Sequence, residues 1–201
     1  MSRIAELSRK TSETNIAVKL RLDGGGVAHI QTGIGFLDHM LVLLSYHSRM
    51  DIDIKAKGDL GSDDHHVVED IAIVLGQVLL KALGEKRGIC RYGSALMPMD
   101  EVLVGVAIDL SGRPCFVNQY QPEREKVGDL STELVSHFFR SFALESRCAL
   151  HFNVLHPGDN EHHRIEAMFK GLGRALAEAV RIDPERASVV PSSKGVLEGG
   201  Q

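Results

Sequence analysis

Gly61-Ser-Asp-Asp-His-His-Val-Val-Glu69 recurs as Gly158-Asp-Asn-Glu-His-His-Arg-Ile-Glu166, at a constant offset of 97 residues (65 to 162, 66 to 163, 69 to 166). Each copy also has a lone histidine ahead of it, His39 lying 26 residues before His65 and His137 lying 25 before His162. Imidazole and carboxylate are ligands of first-row transition metals, and packing alone gives little reason to duplicate them with their spacing intact. The chain therefore reads as a duplicated metalloprotein with its metals bound between two related halves.

The duplication extends on both sides of these segments. Ile16, Val18, Leu20 and Leu22 alternate with more polar residues and lead into Asp23-Gly-Gly-Gly26, the pattern of a strand entering a hairpin. A shift of 88 residues lays Val104, Val106, Ile108 and Leu110 on them, then the turn Ser111-Gly-Arg-Pro114, and puts Glu101 on Glu13. By the lone histidines the shift has grown to 98 (39 to 137), so an insertion is expected, and the polar stretch 118–129 can supply it. Phe36, Leu37, Met40, Leu41 and Leu44 recur at helical spacing around His39. Leu134, Phe138, Phe139 and Phe142 do the same around His137, with Ser131 or Thr132 as the cap. Residues 51–57 and 149–155 alternate as strands, and a second helix follows in each half, over 65–83 and 162–180, with Asp63 or Asp64 and Asn160 as caps. Each half thus reads β-β-α-β-α, residues 1–93 and 94–201 being the two repeat halves of one compact unit. The expected class is α+β: two small sheets, each covered by helices on one face.

Composition narrows the function classes. With 201 residues, 43% apolar and 25% charged, the chain has the makeup of an ordinary globular protein. A net charge of −4 argues against a general nucleic-acid binder, although a local basic cluster could still hold a phosphorylated small molecule. Cys90, Cys115 and Cys148 form no Cys-x-x-Cys pair and suggest buried thiols in a reducing compartment. No apolar run reaches the length of a membrane span, and the first residues lack a signal-peptide hydrophobic region, so no membrane partner and a cytoplasmic location are expected.

On a helix, residues i and i+4 lie one turn apart on the same face, so His65 with Glu69, and His162 with Glu166, can grip one cation each. His66 and His163 sit roughly 100° around the helix and point elsewhere. The economical arrangement is two metals, each held by one such pair, a displaced histidine from another helix and one of His39 or His137. Adjacent halves or subunits would then share the sites. Nitrogen and carboxylate donors without thiolate favour a near-octahedral Mn²⁺ site, with Zn²⁺ or Fe²⁺ as alternatives. One His-His-x-x-Glu alone would read as a solvated helix start; two, with matched lone histidines, do not. His29, His47, His151 and His156 have no matched partner and read as structural. Arg91, Arg113 and Lys194, each alone a solvated loop cation, have together with the serine hydroxyls of Pro191-Ser-Ser-Lys-Gly195 the chemistry of a phosphate pocket. Glu13 and Glu101 are matched acids, and a carboxylate near metals can transfer protons.

Taken together, Arg9-Lys-Thr-Ser-Glu-Thr14, Gly35-Phe-Leu-Asp-His-Met-Leu41, the Asp-Asp-His-His-x-x-Glu-Asp segment at 63–70 and Arg91-Tyr-Gly resemble the imidazoleglycerol-phosphate dehydratase family. So do Asp109-Leu-Ser-Gly-Arg-Pro114, Glu161-His-His-Arg-Ile-Glu-Ala-Met-Phe-Lys170 and Pro191-Ser-Ser-Lys-Gly195, and the likeness runs from about residue 3 to residue 198. The resemblance implies a monofunctional lyase of histidine biosynthesis that converts D-erythro-imidazoleglycerol phosphate to imidazoleacetol phosphate and water. It implies a fold of the ribosomal-protein S5 domain 2 type and two Mn²⁺ ions per active site. It also implies trimers built into a homo-oligomer of 24 subunits, with active sites at the interfaces. Carried onto this chain, the metal ligands are His39, His65, His66, Glu69, His137, His162, His163 and Glu166. Glu13 matches the acid/base glutamate, and Arg91, Arg113, Lys170, Ser192, Ser193 and Lys194 match the substrate contacts. The chemistry so implied runs through a dimetal-bound imidazolate, which expels the hydroxyl and acidifies the neighbouring C–H. Two rivals remain at this level: a dinuclear metal-dependent phosphoester hydrolase, whose product would be inorganic phosphate, and a non-catalytic metal-linked assembly protein.

Overall fold

The computed structural model describes residues 3–61 and 63–197. Its first half runs β1 (Ile4–Lys10), β2 (Thr14–Arg21), β3 (Ala28–Gln31), α1 (Gly35–Ser48), β4 (Asp51–Gly58) and α2 (His65–Leu83). The second runs β5 (Tyr92–Met99), β6 (Val102–Asp109), β7 (Cys115–Asn118), the short β8 (Lys126–Val127) and β9 (Leu130–Ser131), α3 (Glu133–Glu145), β10 (Ala149–His156) and α4 (Glu161–Ala179). The two four-stranded sheets have the same order, β1-β2-β4-β3 and β5-β6-β10-β7, as a duplication requires. The α+β class with duplicated halves stands; each four-stranded sheet has one strand more ahead of the first helix than the pattern read from the sequence, and the second half adds the short β8–β9 pair.

That extra strand is β1 in one half and β5 in the other. β1 pairs with β2 and β5 with β6, so the hairpin turns fall at residues 11–13 and 100–101. The segment at 23–26 is therefore not a hairpin turn. It carries the chain across the sheet to β3, which pairs in parallel with β4 on the far side. Asp51, at the start of β4, holds this crossing: its carboxylate accepts the N–H groups of Gly25 at 2.8 Å and Val27 at 3.0 Å and pairs with Arg21. The Ser111–Pro114 turn likewise leads to β7, parallel to β10.

Alternation buries Ile16, Val18 and Leu20 of β2 against the helices, opposite Ala56, Ile54 and Ile52 of β4. In the second half Val104, Val106 and Ile108 do the same, and Phe138, Phe139, Phe152 and Phe169 stack between α3, β10 and α4. The helices then pack across the halves, α1 against α4 and α2 against α3. Both crossings are close because a glycine lies in each. A Cβ on Gly76 would meet the Phe142 carbonyl oxygen at 2.7 Å and the Ser146 nitrogen at 2.9 Å; one on Gly173 would meet His47 Cβ at 2.9 Å and the Leu44 carbonyl at 3.0 Å. These glycines are 97 residues apart, the offset of the metal-ligand repeat.

The caps also join the halves. Asp129, in the expected insertion, accepts the N–H groups of Gly35 and Phe36 at 2.6 and 2.9 Å and so finishes the start of α1. Asp64 stands at the N-cap of α2, but its carboxylate accepts the Ser131 amide and hydroxyl, while Asp63 accepts the His65 N–H. Asn160 caps α4 as expected, its Oδ1 accepting the His162 N–H at 3.0 Å. Thr132 occupies the N-cap of α3 without bonding the helix; its hydroxyl donates to the carbonyl of Glu125 at 3.2 Å and to that of Arg124.

Two consequences are measurable. In Gly76→Ala, the gain of about 1 kcal/mol in helix propensity is outweighed by overpacking against backbone on α3, leaving the protein less stable by about 1–2 kcal/mol in urea unfolding. Asp51 supplies the second. Burial works to raise its carboxyl, but the Val27 and Gly25 N–H groups and Arg21 outweigh it and hold it at about 2, below the ordinary 3.8. A value lower in the folded state means that this stabilisation is full above the ordinary value and is lost as pH falls through about 2. The stability gap between wild type and Asp51→Asn should therefore be widest near neutral pH and close on acidification.

Candidate metal centre

The β1–β2 and β5–β6 hairpins and the starts of α2 and α4 converge at equivalent places, and the cross-half helix packing sets the lone histidines beside them. His65 and Glu69 open α2, and the third member of their group is His137, from α3 of the other half. His162 and Glu166 open α4, and their third member is His39, from α1. Within each group the donor atoms lie within 4.8 Å of one another. His137 Nε2 is 3.0 Å and His65 Nε2 3.9 Å from the Glu69 carboxylate; His162 Nε2 is 3.0 Å and His39 Nε2 3.8 Å from that of Glu166.

Donors in cis positions around an ion with bonds of about 2.1 Å stand about 3 Å apart, so these spacings need only small side-chain adjustments to take a metal. Two imidazoles and one carboxylate, with open positions left for water or substrate, suit Mn²⁺, Fe²⁺ or Zn²⁺. Glu166 is the buried member. Burial alone would raise its carboxyl, but Lys170 at 2.5 Å and His162 outweigh it and hold it below its usual range. It is thus an anion ready for a cation. Lys170 is one turn further along α4, and its Nζ also lies 3.5 Å from Met99 Sδ.

His66 and His163 lie outside these two groups, as their position around the helix requires. Each faces the matched acid of its own half: His66 Nδ1 is 3.5 Å from Glu13, and His163 Nδ1 is 2.9 Å from Glu101. Glu13 sits in the hairpin turn between β1 and β2, where Thr11 Oγ1 accepts its N–H at 3.1 Å. The next residue, Thr14, donates its hydroxyl to buried Asp70, which also takes Arg9 at 2.7 Å, so the turn is pinned to the ligand helix α2.

The expected phosphate contacts are only partly assembled within one chain. Arg91, Ser192 and Ser193 line one cleft of about 610 Å³ together with Cys90 and Asp183. The Arg91 guanidinium is forked onto Asp109 at 2.7 and 3.0 Å and also donates to the Pro191 carbonyl, which fixes the cleft wall. Arg113 and Lys194 are exposed and outside that lining. Lys170 is beside the second ligand group instead.

Several supporting residues carried no sequence signal beyond their type. Glu161, almost fully buried, accepts the Tyr120 hydroxyl at 2.6 Å and the Glu123 N–H at 2.7 Å. Arg164 donates to Pro157 and Glu123 at 2.7 and 2.6 Å. Together they bind the 118–125 loop to the start of α4 and so fix the rise of the helix that carries His162 and His163. Reading that polar stretch only as an insertion misses this; a glutamate and an arginine at i, i+3 flanking the two histidines were the available hint.

Comparison with known proteins bears on the family and the fold. A family model described as imidazoleglycerol-phosphate dehydratase matches residues 32–176. Proteins named imidazoleglycerol-phosphate dehydratase from an Exiguobacterium species and from Rhodopseudomonas palustris are each 53% identical over 197 residues, covering 98% of this chain and 100% of theirs. The crystal structure of imidazoleglycerol-phosphate dehydratase from Staphylococcus aureus superposes with a TM-score of 0.80 at 42% identity, covering 90% of this chain and 99% of that one. The Pyrococcus furiosus structure, in complex with (S)-C348, also gives 0.80, at 37% identity over 95% and 100%. These matches leave the phosphoester-hydrolase alternative without support. By sequence along its whole length and by fold, the chain belongs to the imidazoleglycerol-phosphate dehydratase family.

Proposed function

We propose that two Mn²⁺ ions per active site serve this chain's hydro-lyase reaction, which converts imidazoleglycerol phosphate to imidazoleacetol phosphate and water in histidine biosynthesis. The observation that carries this reading is the crossed completion of the two ligand groups, His137 joining His65 and Glu69, and His39 joining His162 and Glu166. His66 and His163 lie apart from these groups, so they would complete sites on neighbouring subunits. Such sharing fits active sites at subunit interfaces, in the 24-subunit cytoplasmic assembly that the family resemblance implies. It also accounts for Arg113 and Lys194 standing outside the cleft of Arg91 within one chain.

The reaction removes a hydroxyl from the carbon that bears the imidazole and a proton from the next carbon, which has no carbonyl to acidify it. Bound metal ions would supply Lewis acidity toward the imidazole ring, easing loss of the hydroxyl. The chain's own groups do the rest. Arg91, Arg113, Lys170, Ser192, Ser193 and Lys194 hold the phosphate, fixing the carbon chain in register without entering the chemistry. Glu13, on a pinned turn and facing His66, is the group that moves the proton. The resulting enol becomes the ketone on taking a proton at carbon.

Metal-stripped protein should make no ketone and should recover on addition of Mn²⁺, with no inorganic phosphate at any stage; phosphate release would overturn the dehydration. Glu13→Gln should bind Mn²⁺ as the wild type does while turning over about 10²–10⁴-fold more slowly. Full turnover by that variant would remove Glu13 from the proton-transfer step.

A further inference from the structure

Glu13 and Glu101 occupy the same place in the two halves, the turn of the first hairpin, but their surroundings have diverged. Glu13 has no backbone donor on its carboxylate among the described residues, only His66 at 3.5 Å. Both carboxylate oxygens of Glu101 are in use. Oε1 accepts the backbone N–H of Asn160 at 3.1 Å and that of Asp159 at 3.3 Å, while Oε2 faces His163 Nδ1 at 2.9 Å. The other ring nitrogen settles the tautomer. His163 Nε2 is 3.4 Å from Asn160 Nδ2, and the orientation of that amide is fixed because its Oδ1 already accepts the His162 N–H. An amide nitrogen can only donate, so Nε2 carries a lone pair and the proton is on Nδ1, directed at Glu101. Asp100, 3.8 Å from Nε2, is beyond hydrogen-bond reach.

We infer that Glu101 is a positioning residue: it holds His163 as the Nδ1–H tautomer and so reserves Nε2 as the metal-binding nitrogen. It takes no part in proton transfer, which is left to Glu13. Asp100, Glu101 and His163 lie close enough to suggest a third metal group. With both Glu101 oxygens committed and Asp100 exposed, the trio acts instead as the carboxylate–histidine half of a ligand whose metal completes on Nε2. The inference rests on the dimetal reading above.

Glu101→Gln separates this role from simple anchoring of the 159–160 loop. The amide oxygen can still accept the two backbone N–H groups, but its nitrogen then faces Nδ1 and can only donate. His163 is driven to the Nε2–H tautomer, which cannot ligate through Nε2. Calorimetric titration of the metal-stripped, full-length protein with Mn²⁺ should show one of two equivalents weakened about 10- to 100-fold and the other unchanged, with thermal unfolding of the apo protein near wild type. Raising Mn²⁺ should restore most of the kcat of Glu101→Gln and none of that lost in Glu13→Gln. Glu101→Asp, which keeps an acceptor for Nδ1–H, should bind Mn²⁺ more tightly than Glu101→Gln. Two wild-type equivalents in Glu101→Gln, or weaker Mn²⁺ binding by Glu101→Asp than by Glu101→Gln, would overturn the inference. A wild-type protein that took up no Mn²⁺ would remove the dimetal reading itself, and this inference with it.

Discussion

The two helix crossings, α1 over α4 and α2 over α3, are the constraint on which the site depends. Each crossing brings a lone histidine from one half beside an i, i+4 pair from the other, and a side chain at either crossing point would push backbone against backbone. Displacing α1 by an ångström would move His39 away from Glu166, where it now stands at 3.8 Å. Donor groups a few ångströms apart tolerate little such movement. Packing and ligation are therefore one feature seen at two ends: the apolar faces of the helices set their separation, and the separation sets the site.

Much of this was legible because duplication writes the important residues twice. The histidines, their glutamates and the matched acids stand at fixed offsets, and both ligand helices begin at or next to the residue expected. The edge strands were harder. β1 buries only Ala5 fully, and β5 contains glycine and proline and fills its inner side with Gly93, against which the Ala175 carbonyl packs. Neither strand's residue types show the apolar–polar alternation that identifies a half-buried strand, although every second residue of β5 faces inward. The turn at 23–26 misled for a related reason: glycines announce a change of direction but not where the chain goes next, and Asp51, more than twenty residues on, decides that.

Other contacts could not be read because nothing local encodes them. Asp109 on Arg91, Asp129 on the start of α1, and Asp64 on Ser131 are aspartates whose partners are set only by tertiary packing. Gly76 and Gly173 are the opposite case. They stood at the offset of 97 from the outset, yet a helical glycine invites explanation only once a neighbouring backbone is known to press on it. The matched acids teach a similar lesson. Shared position marks Glu13 and Glu101 as equivalent, and only their hydrogen bonds tell them apart.

The crossed completion of the ligand groups also bears on how such a chain could have arisen. A single half contains one lone histidine and one His-x-x-x-Glu pair, and the structure groups each with the complementary element of the other half. An ancestral protein of half this length could have built such a group only by meeting its own copy across a twofold axis, residue i of one against j of the other and the reverse. Its metal site would have been an interface from the beginning. Fusion would then have made that symmetry permanent in one chain, and each glutamate of the first hairpin, no longer bound to match its twin, was free to change its surroundings.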